Sequence, residues 1–233
     1  EKGLIDLDTP LSEYLKSWQF PLTDYPTEKI TVRQLLSHTS GMPLGDFTNI
    51  YSPGEDIPSN RDVMTGEAVL MRKPGTEFSY SNTGYNILEI LIEDVTGQSF
   101  PEYIRTEVLL PLGMENAAFD IDEEVTPYPP TGYNLREEPV PVYLYPSKAS
   151  GGLFATAHDI ARFAAAGMQE NPVLSVESIS RMYQPECHKV GIYGLIFEAY
   201  GFGHYIEKLP NGMLSVSHGG QGNGIMTHLQ AVP

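Results

Sequence analysis

Residues 83–96, within "FSYSNTGYNILEILIEDVTG", place apolar side chains on almost every side of a helical projection: Tyr85, Ile87, Leu88, Ile90, Leu91, Ile92 and Val95. A helix of that kind has no face to give to water. It must lie at the centre of whatever the chain folds into, with other elements packed around it. Ser81 or Asn82 can accept from its first free amides, and Gly97 stops it. Tyr80 has no part in that cap, and a tyrosine there reads from burial tendencies as core.

The segments on either side read as further helices and long connections. In "ITVRQLLSHTSG", Thr31 and Gln34 stand at capping-box spacing, Ile30 and Leu35 can form a hydrophobic staple, and Gly41 is the expected left-handed terminator, with Pro43 beyond. Residues 63–71 read as a short helix inside a Pro/Asp/Asn-rich connection over 45–73. Ser99 with Glu102 caps a helix to Leu109, Thr156 caps "AHDIARFAAAG", and Ser175 opens a helix to about Tyr183. Residues 120–145 are proline-rich without periodicity and read as an extended surface excursion.

After Gly191 the pattern changes. "GFGHYIEK" and "MLSVSH" alternate and flank Pro210, Asn211 and Gly212, a hairpin signal, and "GIMTHLQAV" reads as a third strand. The expected class is therefore α+β: one domain over 1–233, mainly helical over 10–190, with antiparallel strands over 191–233. The opening "EKGLIDLDTP" reads as the end of a helix followed by an acidic turn, without the plan of a signal peptide, and the last strand stops at Pro233 with nothing to cover it. Both ends are thus expected to be cuts in something longer.

The charge narrows the partners. Lys and Arg number 14 against 30 Asp and Glu, a formal net charge of -16, so polyanionic nucleic acid and anionic membrane surfaces are poor partners. No apolar run approaches the roughly 18 residues of a spanning helix. Cys187 is alone, so no internal disulfide can form, and that fixes no compartment. The sequence sets no oligomeric state.

Three stretches could carry chemistry. In "SHGGQGNG", glycines let a ligand approach exposed amides and His218 can donate a proton, yet the same residues also make an ordinary hairpin loop. They do not spell G-x-G-x-x-G, which speaks against a nucleotide cradle, and none of the six histidines has the tight spacing of a metal ligand set. No metal and no cofactor is therefore expected. "LLSHTSGMP" is accounted for by helix termination. Tyr80, Ser81 and Asn82 are open to both a cap and a site.

Taken together, "GLIDLDTPLSEYL", "ITVRQLLSHTSGMP", "KPGTEFSYSNTGYNILEILIEDVTGQSF", "LLPLGMENAAF", "SGGLFATAHDIARF" and "VSHGGQGNG" resemble, in order, the serine β-lactamase and penicillin-binding-protein superfamily, in its class C-like branch of esterases, D-amino-acid peptidases and β-lactamase-related proteins. That resemblance implies an antiparallel sheet flanked by helices, an all-helical lobe and a cleft between them. It implies Tyr80 as general base, Asn82 as a substrate-orienting group, His218, Gly219 and Gly220 as the K-T-G element in H-x-G form, and the amide of Gln221 as an oxyanion donor. It also implies a small-molecule or peptide substrate and a periplasmic or extracellular location.

The element that should carry the nucleophile, S-x-x-K, is missing. Three residues before Lys16, Lys29, Lys73, Lys148, Lys189 and Lys208 stand Glu13, Pro26, Leu70, Tyr145, Glu186 and Tyr205, and Lys2 has no residue at that offset. The resemblance places the motif just upstream of Glu1. A tyrosine of ordinary pKa is only about 0.1% phenolate at pH 7, so a tyrosine base needs a cation that this chain lacks unless His218 supplies it. The chain is expected to be inactive by itself, the parent a serine hydrolase acting on an ester, amide or lactam carbonyl. The alternatives are a noncatalytic binding or scaffold protein on the same fold, or a metal-dependent hydrolase whose activity falls with chelator.

Overall fold

The computed structural model describes residues 1–46, 48–121 and 129–233 of the chain. Its helices are α1 (Val32–Leu36), α2 (Asn60–Glu67), α3 (Asn82–Thr96), α4 (Phe100–Ile104, continued by a π-helical turn at Arg105–Leu109), α5 (Ala157–Ala166) and α6 (Val176–Met182). A short pair, β1 (Gly132–Tyr133) and β2 (Pro139–Val140), precedes an antiparallel sheet of β3 (Ala199–Tyr200), β4 (Tyr205–Lys208), β5 (Leu214–Gly222) and β6 (Ile225–Ala231), in that spatial order. The architecture is α+β, helices first and sheet last. Among the described residues no helix is long and apolar enough to cross a membrane.

Helix α3 is the centre that its composition requires. Ile87, Leu88, Ile90 and Leu91 are buried in one cluster with Leu11, Ile30, Leu35, Met42 and Met64 from the surrounding segments. Each such side chain contributes roughly 1.5–3 kcal/mol by leaving water. Ile30 and Leu35, the expected staple, both lie in it, and the Thr31 capping box forms with Gln34. Thr156 caps α5 with Asp159 closing the box, and Ser175 caps α6.

Several elements differ from expectation. Helix α1 ends at Leu36, and the first left-handed residue after it is His38 (φ 55), three positions before Gly41 (φ 79). Helix α2 begins at Asn60 on the Ser59 cap and is over by Glu67, because the next residues are drawn out: the Met71 amide donates to the Gly41 carbonyl at 2.9 Å. Ser99 makes no side-chain cap; the Glu93 carboxylate accepts from the Phe100 amide instead, at 3.0 Å. Of the excursion over 120–145, residues 122–128 lie outside the described residues. The remainder closes as the β1–β2 hairpin on the β5–β6 turn, where the Tyr133 amide donates to the Gly224 carbonyl at 3.0 Å.

The stretch 201–208 divides rather than running as one strand. Its glycines turn the chain between β3 and β4, with the Gly201 amide donating to the His204 carbonyl at 2.9 Å. A Cβ at Gly201 would sit 2.3 Å from the Met182 carbonyl oxygen, so the close pass beneath α6 admits only glycine. The Asn211–Gly212 turn joins β4 to β5 as expected, with Gly212 at φ 86. The glycines of "SHGGQG" are strand residues and not a loop: β5 pairs with β6 from Val216 through Gly222, and only Asn223 and Gly224 turn.

Candidate active site

Ser81 answers the question of the cap. Its hydroxyl accepts from the Gly84 amide at 2.9 Å and donates to the Pro43 carbonyl at 2.6 Å, so it both starts α3 and ties it to the segment after Gly41. Asn82 is the first residue of α3, its own amide donating to the Leu44 carbonyl at 2.9 Å. With the capping done by Ser81, neither neighbour's side chain is needed for it. Ser81→Ala removes the cap and strands the Pro43 carbonyl, and we expect it to cost about 1–2 kcal/mol, read as a lower urea midpoint with unchanged slope.

Tyr80 and His218, 138 positions apart, meet: Tyr80 Oη lies 3.2 Å from His218 Nε2. The β5 strand delivers His218 from one side and the entry to α3 delivers Tyr80 from the other. Around Tyr80 stand the rings of His38, Tyr193 and His218, at centroid distances of 4.1, 6.4 and 6.0 Å, and beyond them Phe78, Tyr200 and Tyr205. Burial in this aromatic box, with Tyr193 adding to it, pushes the Tyr80 phenol up to about 12. Burial, with His204 and His228 adding to it, holds the His218 imidazole below its ordinary 6.5 against a hydrogen bond with Gly219. Both partners are therefore neutral at pH 7. His218 does not supply the cation that a tyrosine base needs.

Among the described residues no strand covers the edge of β5 beside this pair. Register with β4 ends at Tyr205 opposite Ser217, whereas β5 runs on to Gly222. The Glu198 amide donates to the Ile206 carbonyl, turning that peptide toward β3, so alternation turns Tyr205 toward β5 and Ser217 toward β4. Two and four residues on, Gly219 and Gln221 direct their amides to the side that β4 has vacated. Gly220 and Gly222 turn theirs to β6. Gly219, Gly220 and Gln221 are exposed to solvent.

Sequence reasoning missed the surroundings of Tyr80. His38, assigned to helix termination, is a buried wall of the site, and nothing local to "LLSHTSG" signals that beyond a histidine where a cap glycine could stand. Tyr193 and Tyr200 come from segments with no periodic signal. Among the described residues no group of three or more His, Cys, Asp or Glu side chains converges as a metal site would require.

The family model described as "Beta-lactamase" matches residues 1–233. The chain belongs to the β-lactamase family. Penicillin-binding protein 4 of Amycolatopsis lactamdurans is 29% identical to it over 248 aligned positions, covering 100% of this chain and 64% of that protein. Penicillin-binding protein 4* of Bacillus subtilis is 27% identical, covering 97% and 52%. This β-lactamase-family chain thus spans between about half and two thirds of the length of those relatives. The octameric penicillin-binding protein homologue from Pyrococcus abyssi superposes with a TM-score of 0.78 at 29% identity, over 100% of this chain and 55% of that one. A D-stereospecific amidohydrolase from Streptomyces shares the fold, with a TM-score of 0.77 at 24% identity over 99% and 72%.

Proposed function

We propose that Tyr80, Asn82, His218 and the open edge of β5 form the base and oxyanion side of a serine acyl-transfer site. The observation that carries this is the 3.2 Å approach of Tyr80 and His218 beside outward amides, in a chain of this family. The relatives' names, penicillin-binding proteins and a D-stereospecific amidohydrolase, fit the same chemistry. The serine and lysine belong to a Ser-x-x-Lys element that none of the 233 residues provides. The serine Oγ attacks an ester, amide or lactam carbonyl while Tyr80 takes its proton. The amide of Gln221 is one donor to the oxyanion, and Tyr80 returns the proton to the leaving group as the acyl-enzyme forms. Water then hydrolyses that intermediate by the reverse relay. Asn82 orients the substrate.

The phenol's displacement to about 12 assigns the lysine its task. At pH 7 such a phenol is about one part in 10⁵ ionised, and an ammonium within hydrogen-bond reach is what brings it down.

The substrate class is read from the charge of the pair and the turn that carries Tyr193. His218 is neutral at pH 7 and offers no fixed charge to a carboxylate. The turn at Gly191–Leu195 exposes Ile192 (78%) and Leu195 (86%) on either side of the Tyr193 that packs near Tyr80. Both features favour esters or peptides with apolar groups over penicillins. With the gene product, including whatever precedes Glu1, kcat/KM for a p-nitrophenyl acyl ester at pH 7 is expected to exceed that for a chromogenic cephalosporin by about tenfold or more. The opposite order sinks this preference.

A noncatalytic binding protein on the same fold is the second reading, and it follows if the sequence upstream of Glu1 lacks Ser-x-x-Lys. Reading the codons upstream of Glu1 separates the two.

A further inference from the structure

We infer that His38 is the positioning residue of this site: it clamps the backbone on both sides of Tyr80 and so fixes where the phenol can point. The inference rests on the reading of Tyr80 as the base.

The clamp is built from two different atoms of one residue. The Ser79 amide donates to the His38 carbonyl at 2.8 Å, and the Ser81 amide donates to His38 Nδ1 at 3.1 Å. Tyr80 lies between those two bonds, with its ring tilted over the His38 ring at 4.1 Å. The backbone of Tyr80 therefore has no freedom to rotate unless His38 moves with it.

His38 is itself held. It is 1% exposed and adopts φ 55, a left-handed conformation that a residue with a Cβ rarely takes and that turns the ring inward from the end of α1. Because Nδ1 accepts, the ring proton is on Nε2, which donates to the Tyr200 hydroxyl at 3.1 Å. Tyr85, whose ring stands 5.1 Å from that of His38, donates its hydroxyl to the Leu36 carbonyl at 3.1 Å. The ring is thus held at Nε2 by Tyr200, and its neighbour Tyr85 is tied to the last residue of α1. Burial, with His218 nearby, pushes the His38 imidazole down to about 3, so the single tautomer persists over the working range. Asn at this position could also adopt a positive φ and present a carbonyl oxygen to Ser81; Phe could fill the volume but not accept.

Long-range ¹H–¹⁵N spectra of the unmodified 233-residue chain test the tautomer directly. The expected result is a His38 ring with unprotonated Nδ1 and protonated Nε2 that does not titrate between about pH 5 and 8. Protonation on Nδ1, or titration in that range, overturns the clamp without any variant having to fold. Two variants test the consequence. In His38→Phe the Ser81 amide is expected to exchange faster by about tenfold or more and the His218 titration midpoint to rise toward 6.5, as the freed Tyr80 uncovers it. In His38→Asn both stay near the parent values. A residue that only filled the core would be replaced better by Phe than by Asn, with Ser81 exchange and the His218 midpoint unchanged in His38→Phe, and that outcome overturns the positioning role. A correct tautomer together with a Tyr80→Phe enzyme of unchanged turnover leaves the clamp standing and removes the base.

Discussion

In a gene product that carries Ser-x-x-Lys upstream of Glu1, replacing Tyr80 by phenylalanine is expected to lower kcat by about 10²–10⁴-fold and to change KM far less. Phenylalanine keeps the ring within the aromatic box of His38, Tyr193 and His218 and removes only the oxygen that carries the proton. The fold is left intact, because that oxygen's hydrogen bond is to His218 and the cap belongs to Ser81. His218→Ala behaves differently. Its imidazole is held below 6.5 by burial, so at pH 7 it contributes a hydrogen bond and no charge. Its loss lowers kcat modestly at pH 7. Any gain in affinity for carboxylate substrates from a His218 cation is confined to more acid solution, below its depressed midpoint. A KM for such substrates that rises sharply in His218→Ala at pH 8 would contradict the neutral assignment. Equal and negligible effects of both substitutions remove the site.

The second large effect concerns stability and lies on the far side of α3. Glu89 is 4% exposed, and one carboxylate oxygen accepts from the amides of Lys148 and Ala149 at 2.6 and 2.8 Å. Burial pushes its carboxyl from 4.5 up to about 7; those amides and Lys148 pull the other way and Glu93 adds to the rise. The sign follows from proton counting. Below 4.5 folded and unfolded chains are both protonated here, and between 4.5 and 7 only the unfolded chain releases the proton, so stability falls with rising pH. At about 1.36 kcal/mol per pH unit this amounts to ~3 kcal/mol, fully lost above 7. Glu89→Gln retains a carbonyl oxygen for the two amides and has no charge to bury. It is expected to match the parent near pH 4.5 and to exceed it by about 1–3 kcal/mol at pH 8, in urea titrations at both pH values. A variant weaker than the parent at pH 8 would show that the ionised carboxylate, through its two amide bonds, outweighs its burial.

What the sequence made legible was local. The all-round apolar run of α3, the Thr31 box, the Ser81 and Thr156 caps and the Asn211–Gly212 turn depend on residues within a few positions of one another. The failures are nonlocal. The glycines of β5 read as a loop because their pairing partners arrive later, on β6. Residues 201–208 read as one strand because the passage beneath Met182 that bends them leaves no mark in their alternation. Glu89 looks like a polar position on an apolar helix, and only packing shows that it is buried. Of the candidate site, the motifs in combination pointed to Tyr80 and His218, which meet at 3.2 Å, whereas His38 was hidden in a segment that capping rules explained too readily. The electrostatics of His218 could not be read at all, since burial decides its charge.

The most direct test is the intact mass of two proteins after treatment with a fluorophosphonate or penicillin probe. The expected result is a single covalent adduct on the gene product, mapped to the serine of Ser-x-x-Lys, and none on the 233-residue chain. An adduct on the 233-residue chain, or none on a gene product that contains Ser-x-x-Lys, would contradict the assignment of this site to serine acyl transfer.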